Sequence, residues 1–242
     1  MLRPRTLLTD LANRMLTAKP PPQLPRPSFW QRLRFWLSAL FADHAIFRLF
    51  YNTRRVVAPG LHRSGHPLPY QLRAAARAGV KSVLNLRGAE VHIGSNRLEW
   101  LACEQLDLPV LHLPLGSRSP PQRDEVLALI ALFETLPKPL LVHCKSGADR
   151  AGLASVIYLI TQQGMPLEQA LHEMDFWKHG HVRQAKTGVL DYFFETYRQY
   201  RDAHGTDFVT WVREVYDRDT VERSFHSSWW ANQLVDFVLR RE

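Results

Sequence analysis

Short apolar blocks and longer amphipathic blocks alternate along most of the chain. The compact apolar blocks predict strands at 80–86, 108–113 and 140–143. The amphipathic blocks predict helices at 68–78, 96–106, 121–136, 150–164, 166–177, 189–203, 206–218 and 229–240. Strands that alternate with helices predict an α/β fold. Its central sheet is expected to be mainly parallel and flanked by helices, with extra helices at the N- and C-terminal ends.

The same pattern divides the chain into four regions. Residues 1–28 are basic and rich in proline, and a helix cannot run through closely spaced prolines, so we predict a tail there. An amphipathic helix is expected at 29–54, the main domain at 55–203 and a helical extension at 204–242.

The segment 29–50 mixes aromatic and aliphatic side chains with arginines. Charged residues interrupt it too often for a membrane span, but apolar bulk beside arginines is typical of a helix that lies on a membrane surface. The other interpretation is a helix that packs on the core of the domain. The sequence leaves both interpretations open.

Charge and cysteine content indicate which partners and which cellular compartment to expect. The 242 residues include 31 Lys and Arg against 23 Asp and Glu, and the net charge of +8 favours an anionic partner. We find no zinc-finger, helix-turn-helix or aromatic-basic signature, so no nucleic acid partner is expected. Two cysteines make no disulfide framework, and no signal peptide or transmembrane run is evident. These features predict a cytoplasmic protein, either free or peripheral at a membrane.

The stretch 140–152 carries the chemistry. An apolar strand ends at His143 and Cys144, a short glycine-containing loop follows, and Arg150 begins a helical pattern. Backbone N–H groups of such a loop and the positive end of the helix dipole suit a phosphate dianion, and the same field favours the thiolate form of Cys144. We expect the substrate to be held by Arg150 and by four loop residues, which are Lys145, Ser146, Gly147 and Ala148.

This arrangement resembles the His-Cys-(x)5-Arg loop of the cysteine-dependent protein tyrosine and dual-specificity phosphatases. Together with the segments 60–64 and 83–87, it is similar to the atypical dual-specificity phosphatases of plants, fungi and bacteria, over roughly residues 55–200. The resemblance implies that Cys144 attacks phosphorus, that a cysteinyl-phosphate forms, and that His143 supports the thiolate. It implies no metal and no other cofactor. Residues 55–203 would then be a phosphatase domain.

Further basic residues are candidates for substrate binding. Ligands of parallel sheets bind at the carboxyl ends of strands, and this rule places Arg87, Cys144 and the loop 116–121 with Arg118 on one rim. The basic, glycine-flanked segment 179–188 offers Lys186 as a second wall of the pocket. A solvated loop is the alternative for this segment.

Two positions depart from the superfamily pattern. Ala151 stands where the family usually has Ser or Thr, so hydrolysis of the phosphoenzyme is expected to be slower. The rim loop carries no carboxylate for the general acid. Asp149 beside Arg150 is our preferred proton donor, because myotubularin-type phosphatases carry an Asp at this place. Asp124 and Asp107 are the alternatives.

Three functions remain open at this stage. The first is a phosphatase of phosphotyrosine or dual-specificity type. The second is a phosphatase of a membrane phospholipid or inositol phosphate. The third is a phosphate-binding module without turnover. The second function is favoured by Lys145, by the net positive charge and by the segment 29–50. The third is made possible by Ala151 and by the lack of a carboxylate in the rim loop. The resemblance alone does not choose the substrate.

Overall fold

The computed structural model of the protein describes residues 26–49, 54–175 and 188–226. Within these ranges the strands are Arg55–Ala58 (β1), Leu61–Ser64 (β2), Ser82–Asn85 (β3), Val110–His112 (β4) and Leu140–His143 (β5). The α-helices are Phe29–Leu37 (α1), Pro69–Arg77 (α2), Gly94–Gln105 (α3), Arg123–Thr135 (α4), Asp149–Gln162 (α5), Leu167–Ala170 (α6), Gly188–His204 (α7) and Phe208–Thr210 (α8). Residues 218–226 are also helical.

The strands form one sheet in the order β1-β2-β5-β3-β4. β1 pairs antiparallel with β2, and the other pairs are parallel. The predicted mainly parallel sheet is therefore confirmed. In the register of β5, His143 lies beside Ser64 of β2 and Asn85 of β3, so the carboxyl ends of three strands meet at one edge of the sheet.

Alternate strand residues face two separate cores. Val83 and Leu141 join a cluster with the buried sides of α2 and α3 on one face of the sheet. Leu84 and Val142, each the next residue along, join a larger cluster with α4, α5 and the C-terminal helices on the opposite face. Side chains alternate across a strand, so strands covered on both faces must be apolar at consecutive positions. This explains the unbroken apolar run of β5.

The segment 26–49 is helical but is not one continuous α-helix. After α1 the chain passes into a π-helical turn at Ser38–Ala42 and ends with a 3-10 turn at Ala45–Arg48. Between the two turns, His44 adopts a left-handed backbone conformation with φ of 55°. The inner side of the segment packs on α2 and α3 through a cluster of Ala39, Ala45, Leu68 and Leu98. Its outer side exposes Phe29, Trp30, Phe41 and Phe47. The interpretation of a helix packed on the domain is therefore confirmed for the inner side, whereas membrane contact of the outer side stays a prediction.

Other elements differ from the sequence pattern as well. The predicted helix at 206–218 is divided into α8 and a π-helical turn at Trp211–Val215, and residues 216 and 217 are not helical. Pro121 is not in the first turn of α4, because the helix begins at Arg123 and the Gln122 N–H is capped by Glu125 at 2.7 Å. The predicted helix at 166–177 is divided into α6 and a 3-10 turn at Leu171–Met174 within its described part. The predicted helix at 229–240 lies outside the described residues. Among the helices that are described, none has the length and apolar character needed to cross a membrane.

Candidate active site

The loop between β5 and α5 forms the floor of a pocket. Cys144 is buried directly after β5, and its Sγ accepts a hydrogen bond from the Gly147 N–H at 3.2 Å. Asp149 and Arg150 form the first turn of α5. The thiol therefore lies at the positive end of a helix of fourteen residues, beside a loop whose Gly147 N–H points toward it. This is the arrangement that the sequence predicted.

Arg63 of β2 holds this loop from behind. Its guanidinium is almost fully buried and donates to the Gly147 carbonyl at 2.6 Å and to the Ala148 carbonyl at 3.0 Å. It also donates to the carboxylate of Glu173 at 2.9 Å. Burial lowers the pKa of Arg63, while the Glu173 carboxylate opposes this shift. Arg63 therefore ties the carbonyls of Gly147 and Ala148 to the back of the site.

Two glycines bring β2 and the loop into close contact. Gly147 has a φ of 84°, and a Cβ at this position would lie 2.6 Å from the Gly65 backbone nitrogen. A Cβ on Gly65 would lie 3.1 Å from the Ser146 carbonyl oxygen. The next residue, His66, donates its N–H to the Lys145 carbonyl at 3.1 Å. The shape of the loop therefore depends on a glycine in each of the two touching chain segments.

Arg150 points back over the pocket toward the neighbouring strand ends. One of its terminal nitrogens, Nη1, donates to the carbonyls of Leu86 at 3.3 Å and Leu115 at 3.4 Å. These residues follow β3 and β4, so the predicted meeting of strand ends with the loop is confirmed. The Nε of Arg150 is buried and has no hydrogen-bond partner among the described residues. A phosphate oxygen in the pocket could accept from this donor.

A buried polar cluster lies beneath the nucleophile. His143 Nε2 is 2.5 Å from Glu99 Oε1, and Asn85 donates to Glu99 Oε2 at 2.8 Å. Burial by itself raises the pKa of Glu99, but the neighbouring imidazoles outweigh it and bring this pKa to about 2. Burial lowers the pKa of His66, which lies 3.9 Å from the same carboxylate. The ring of His143, predicted to support the thiolate, thus lies against a buried carboxylate that the sequence did not single out.

The N-terminal segment contributes a second polar cluster. Asp43 is buried and accepts from Arg87 at 2.7 and 2.8 Å and from Arg48 at 2.7 Å. Asp43 also lies 3.7 Å from the ammonium of Lys145, which belongs to the loop between β5 and α5. Burial raises the pKa of Asp43, but the hydrogen bonds from Arg87, Ser95 and Arg48 together hold it far below its usual range. Asp43 is therefore an ionised acceptor.

The pocket above Cys144 has a volume of about 330 Å³. Its lining includes five residues that the sequence predicted, which are Cys144, Lys145, Ser146, Asp149 and Arg150. It also includes four that the sequence did not single out, which are Asp43, His44, Arg48 and Ser117. Three of these four belong to the segment 26–49, whose position no local pattern could reveal.

Other predicted binding residues lie outside this lining. Arg87 sits behind the pocket, where it pairs with Asp43 and contacts His66 Nδ1 at 2.9 Å. Arg118 is exposed on the rim loop, and the structure gives it no contact with the pocket. Lys186 lies outside the described residues. Substrate binding by these three residues stays a prediction.

The three candidate acids occupy different places. Asp149 lines the pocket beside Arg150. Asp124 is exposed in the first turn of α4, and Asp107 is exposed with a φ of 53° just ahead of β4. Because β4 runs parallel to β5, its beginning lies at the edge of the sheet opposite to Cys144. Of the three, Asp149 alone lines the pocket.

The sheet, the strand-loop-helix unit and the Cys144–Arg150 spacing define the architecture of a cysteine-dependent tyrosine or dual-specificity phosphatase. Residues 63–189, just over half of the chain, match the family described as DSP-PTPase phosphatase fused to NAD+ kinase. The chain belongs to this family. The resemblance seen in the sequence is therefore confirmed.

Curated relatives of the chain include the dual specificity protein phosphatase TpbA of Pseudomonas aeruginosa. The two are 31% identical over 126 residues, which are 51% of this chain and 52% of TpbA. The chain thus spans about half the length of the curated relatives it matches.

Solved structures resemble the chain as well. A DUF442 protein from Shewanella putrefaciens is 21% identical, with a TM-score of 0.50, over 64% of this chain and 95% of that one. The crystal structure of P. aeruginosa TpbA is 23% identical, with a TM-score of 0.47, over 69% of this chain and 87% of that one. The first of these supports the fold assignment.

Proposed function

We propose that this chain is a phosphomonoester hydrolase that works through a cysteinyl-phosphate on Cys144. The observation that carries the proposal is the position of the Cys144 thiol, which receives the Gly147 N–H at the N-terminus of α5 and shares a pocket with Arg150. The family match, which spans this loop, supports the same chemistry. A non-catalytic phosphate-binding module is less favoured, because both the Cys144 thiol and the Arg150 guanidinium are present in the pocket.

The reaction has two displacements at phosphorus. In the first, the Cys144 thiolate attacks, an S–P bond forms, and the P–O bond to the leaving group breaks while Asp149 gives that oxygen a proton. In the second, water attacks the phosphorus and gives a proton to the Asp149 carboxylate, the S–P bond breaks, and inorganic phosphate and the thiolate are released. Arg150 and the loop amides stabilise the equatorial oxygens in both steps. These residues need no cofactor for either step.

The test compares the two cysteines of the chain. Cys144→Ser should abolish turnover of p-nitrophenyl phosphate yet still bind inorganic phosphate, because the loop amides and Arg150 remain. Cys103→Ser is the matched control, since Cys103 is equally buried but belongs to the core cluster of α2 and α3. Rapid quenching of the wild type should trap phosphate on Cys144. Turnover by Cys144→Ser, or equal losses in both variants, would contradict the mechanism.

The proposed substrate is a phosphorylated protein, with phosphotyrosine as the first choice. The support is the relationship to TpbA, which is described as a dual specificity protein phosphatase. Phosphotyrosine and phosphoserine peptides of one sequence should be compared by kcat/KM. A lower value for phosphotyrosine would remove that preference.

We also propose that the segment 26–49 contacts an anionic membrane surface. Residues 26–42 contain three arginines and no carboxylate. On its outer side Trp30 and Phe47 are each 74% exposed, although large aromatic side chains are usually buried in soluble domains. Apolar bulk beside arginines suits the boundary between anionic headgroups and acyl chains. This surface favours a phospholipid or inositol phosphate as the alternative substrate.

Sedimentation with phosphatidylserine vesicles tests the membrane contact. Binding should weaken with salt and should fall in the double variant Trp30→Ser and Phe47→Ser, whose side chains are outside the core. The control is the double variant Val56→Ser and Val91→Ser, which removes exposed apolar side chains outside the segment. Equal binding by both double variants would reject the contact.

A further inference from the structure

The pocket has a wall that lies outside the family match. Asp43, His44 and Arg48 all line it, yet they precede the matched residues 63–189. The wall adjoins the nucleophile closely, because Arg48 Nη1 donates to the carbonyl of Lys145 at 3.4 Å, and Lys145 directly follows Cys144. Consecutive Cα atoms are only about 3.8 Å apart. Any ligand group against this wall is therefore a near neighbour of the reacting phosphate.

The wall carries an excess of positive charge. Asp43 pairs with Arg48, Arg87 and Lys145, so three cations share this carboxylate. Arg87 binds both oxygens of Asp43 from behind the pocket, whereas Arg48 and Lys145 line the pocket itself. The charge of Asp43 is thus largely met by Arg87, which lies outside the lining of the pocket.

The geometry of Arg48 leaves part of its guanidinium weakly engaged. Nη2 donates to Asp43 at 2.7 Å and to Ser95 at 3.3 Å, which fixes the side chain. Within the described residues, the hydrogen bond of Nη1 is the 3.4 Å contact with the Lys145 carbonyl, which is beyond the usual range for a strong N–H to O bond. A guanidinium that is fixed through one nitrogen and weakly bonded through another is arranged to receive an anion.

We infer that Arg48, His44 and Lys145 form a second anion subsite beside the scissile phosphate. It would take a phosphomonoester whose leaving group carries another anionic group directly next to the phosphoester. An anionic group beyond a phenyl ring would lie too far from this wall. The inference rests on the proposed function, because it places the second anion relative to a phosphate on Cys144.

A binding experiment tests the subsite without turnover. In Cys144→Ser, pyrophosphate should bind more tightly than inorganic phosphate, because its second phosphate reaches the wall. Adding Arg48→Gln should reduce pyrophosphate affinity by roughly tenfold or more, which corresponds to one charge-assisted hydrogen bond, and should change phosphate affinity much less. The control is Arg34→Gln, which removes the same charge from an exposed position of the same segment. Equal losses for both anions, or for both arginine variants, would overturn the subsite.

A kinetic comparison adds the positional test. Arg48→Gln should lower kcat/KM for 2-carboxyphenyl phosphate by roughly tenfold or more, and that for 4-carboxyphenyl phosphate only slightly. The two substrates carry equal charge, so only the position of the carboxylate distinguishes them. An equal change for both would contradict the inference.

Another variant covers the case in which Arg48→Gln fails to fold. His44 is exposed, and His44→Asn keeps a residue type that tolerates its left-handed backbone. This variant should also weaken pyrophosphate relative to phosphate, and an unchanged ratio would count against the subsite. Failure of the wild type to hydrolyse p-nitrophenyl phosphate would instead reject the proposed function, since the pyrophosphate measurement needs no turnover.

Discussion

The Arg63 guanidinium donates to the Gly147 carbonyl at 2.6 Å, although 84 positions separate the two residues in the chain. Arg63 is 2% exposed and belongs to β2, whereas Gly147 belongs to the loop after β5. This bond and its neighbour at Ala148 join the loop after β5 to β2, the adjacent strand of the sheet. The loop geometry is therefore set before any substrate arrives.

Replacing this arginine should damage stability and activity together. Arg63→Met removes one partner of a buried ion pair and leaves loop carbonyls without donors, which should cost roughly 3–5 kcal/mol in the free energy of unfolding. Urea denaturation measures this value. The control is Arg201→Met, whose partly exposed pairs with Glu168 and Asp202 should contribute at most about 1 kcal/mol. Similar losses in the two variants would contradict the role of Arg63.

Arg150 should act mainly on the transition state. Arg150→Lys keeps the charge but loses the planar fork, and Lys cannot supply both the carbonyl contacts of Nη1 and a second donor to phosphate. We expect kcat for p-nitrophenyl phosphate to fall by about a hundredfold or more, as for the loss of a transition-state donor. Steady-state kinetics measure it. A change confined to KM would show that the arginine only binds substrate.

Asp149 should matter most for poor leaving groups. If this residue protonates the leaving oxygen, Asp149→Asn should slow alkyl phosphates by roughly 10²–10⁴-fold and aryl phosphates with acidic leaving groups much less. The ratio of kcat/KM for the two substrate classes is the measurement. Asp124→Asn is the control, because Asp124 does not line the pocket. Equal losses on both classes would leave Asp149 with a purely structural role.

The buried histidines should make the fold sensitive to mild acid. Burial lowers the pKa of both His66 and His112 below the ordinary 6.5, so below that pH the unfolded chain takes up protons that the native state refuses. Stability should therefore fall as the pH drops below 6.5, by up to about 1.4 kcal/mol per pH unit for each histidine. Glu99 adds a second loss between pH 4.5 and about 2, because its lowered pKa stabilises only the ionised form.

Urea denaturation at a series of pH values measures this slope. His66→Gln should flatten the dependence between about pH 6.5 and pH 5, whatever its effect on absolute stability. His204→Gln is the control, since His204 is exposed at the end of α7. An unchanged slope in His66→Gln would remove this histidine from the acid response.

Local pattern was enough to predict β3, β4, β5 and the loop after β5, but not the strands β1 and β2. The strands β3 and β5 are apolar at consecutive positions because both of their faces are covered. The order of His143, Cys144 and Arg150 along the chain predicts the loop. These signals lie within a few residues of one another. The sequence therefore predicted both the mainly parallel character of the sheet and the place of Cys144 at the end of β5.

Contacts between segments that are distant in the chain could not be predicted from the sequence. Glu99 lies in the middle of α3, and nothing around it indicates a carboxylate that will be buried against His143. Asp43 and Arg48 reach the pocket only because the chain turns at the left-handed His44 after a π-helical turn. A uniform amphipathic pattern predicts a straight helix, so it could not place these side chains.

The contact between Gly65 and Gly147 also limits how this protein can change. Neither position leaves space for a Cβ without moving the backbone of the other segment. A substitution at one glycine therefore cannot be relieved by a smaller side chain opposite, since none exists. In a saturation library, tolerated changes should be scarce at both positions, and rescue of either should come from shifts of the backbone itself.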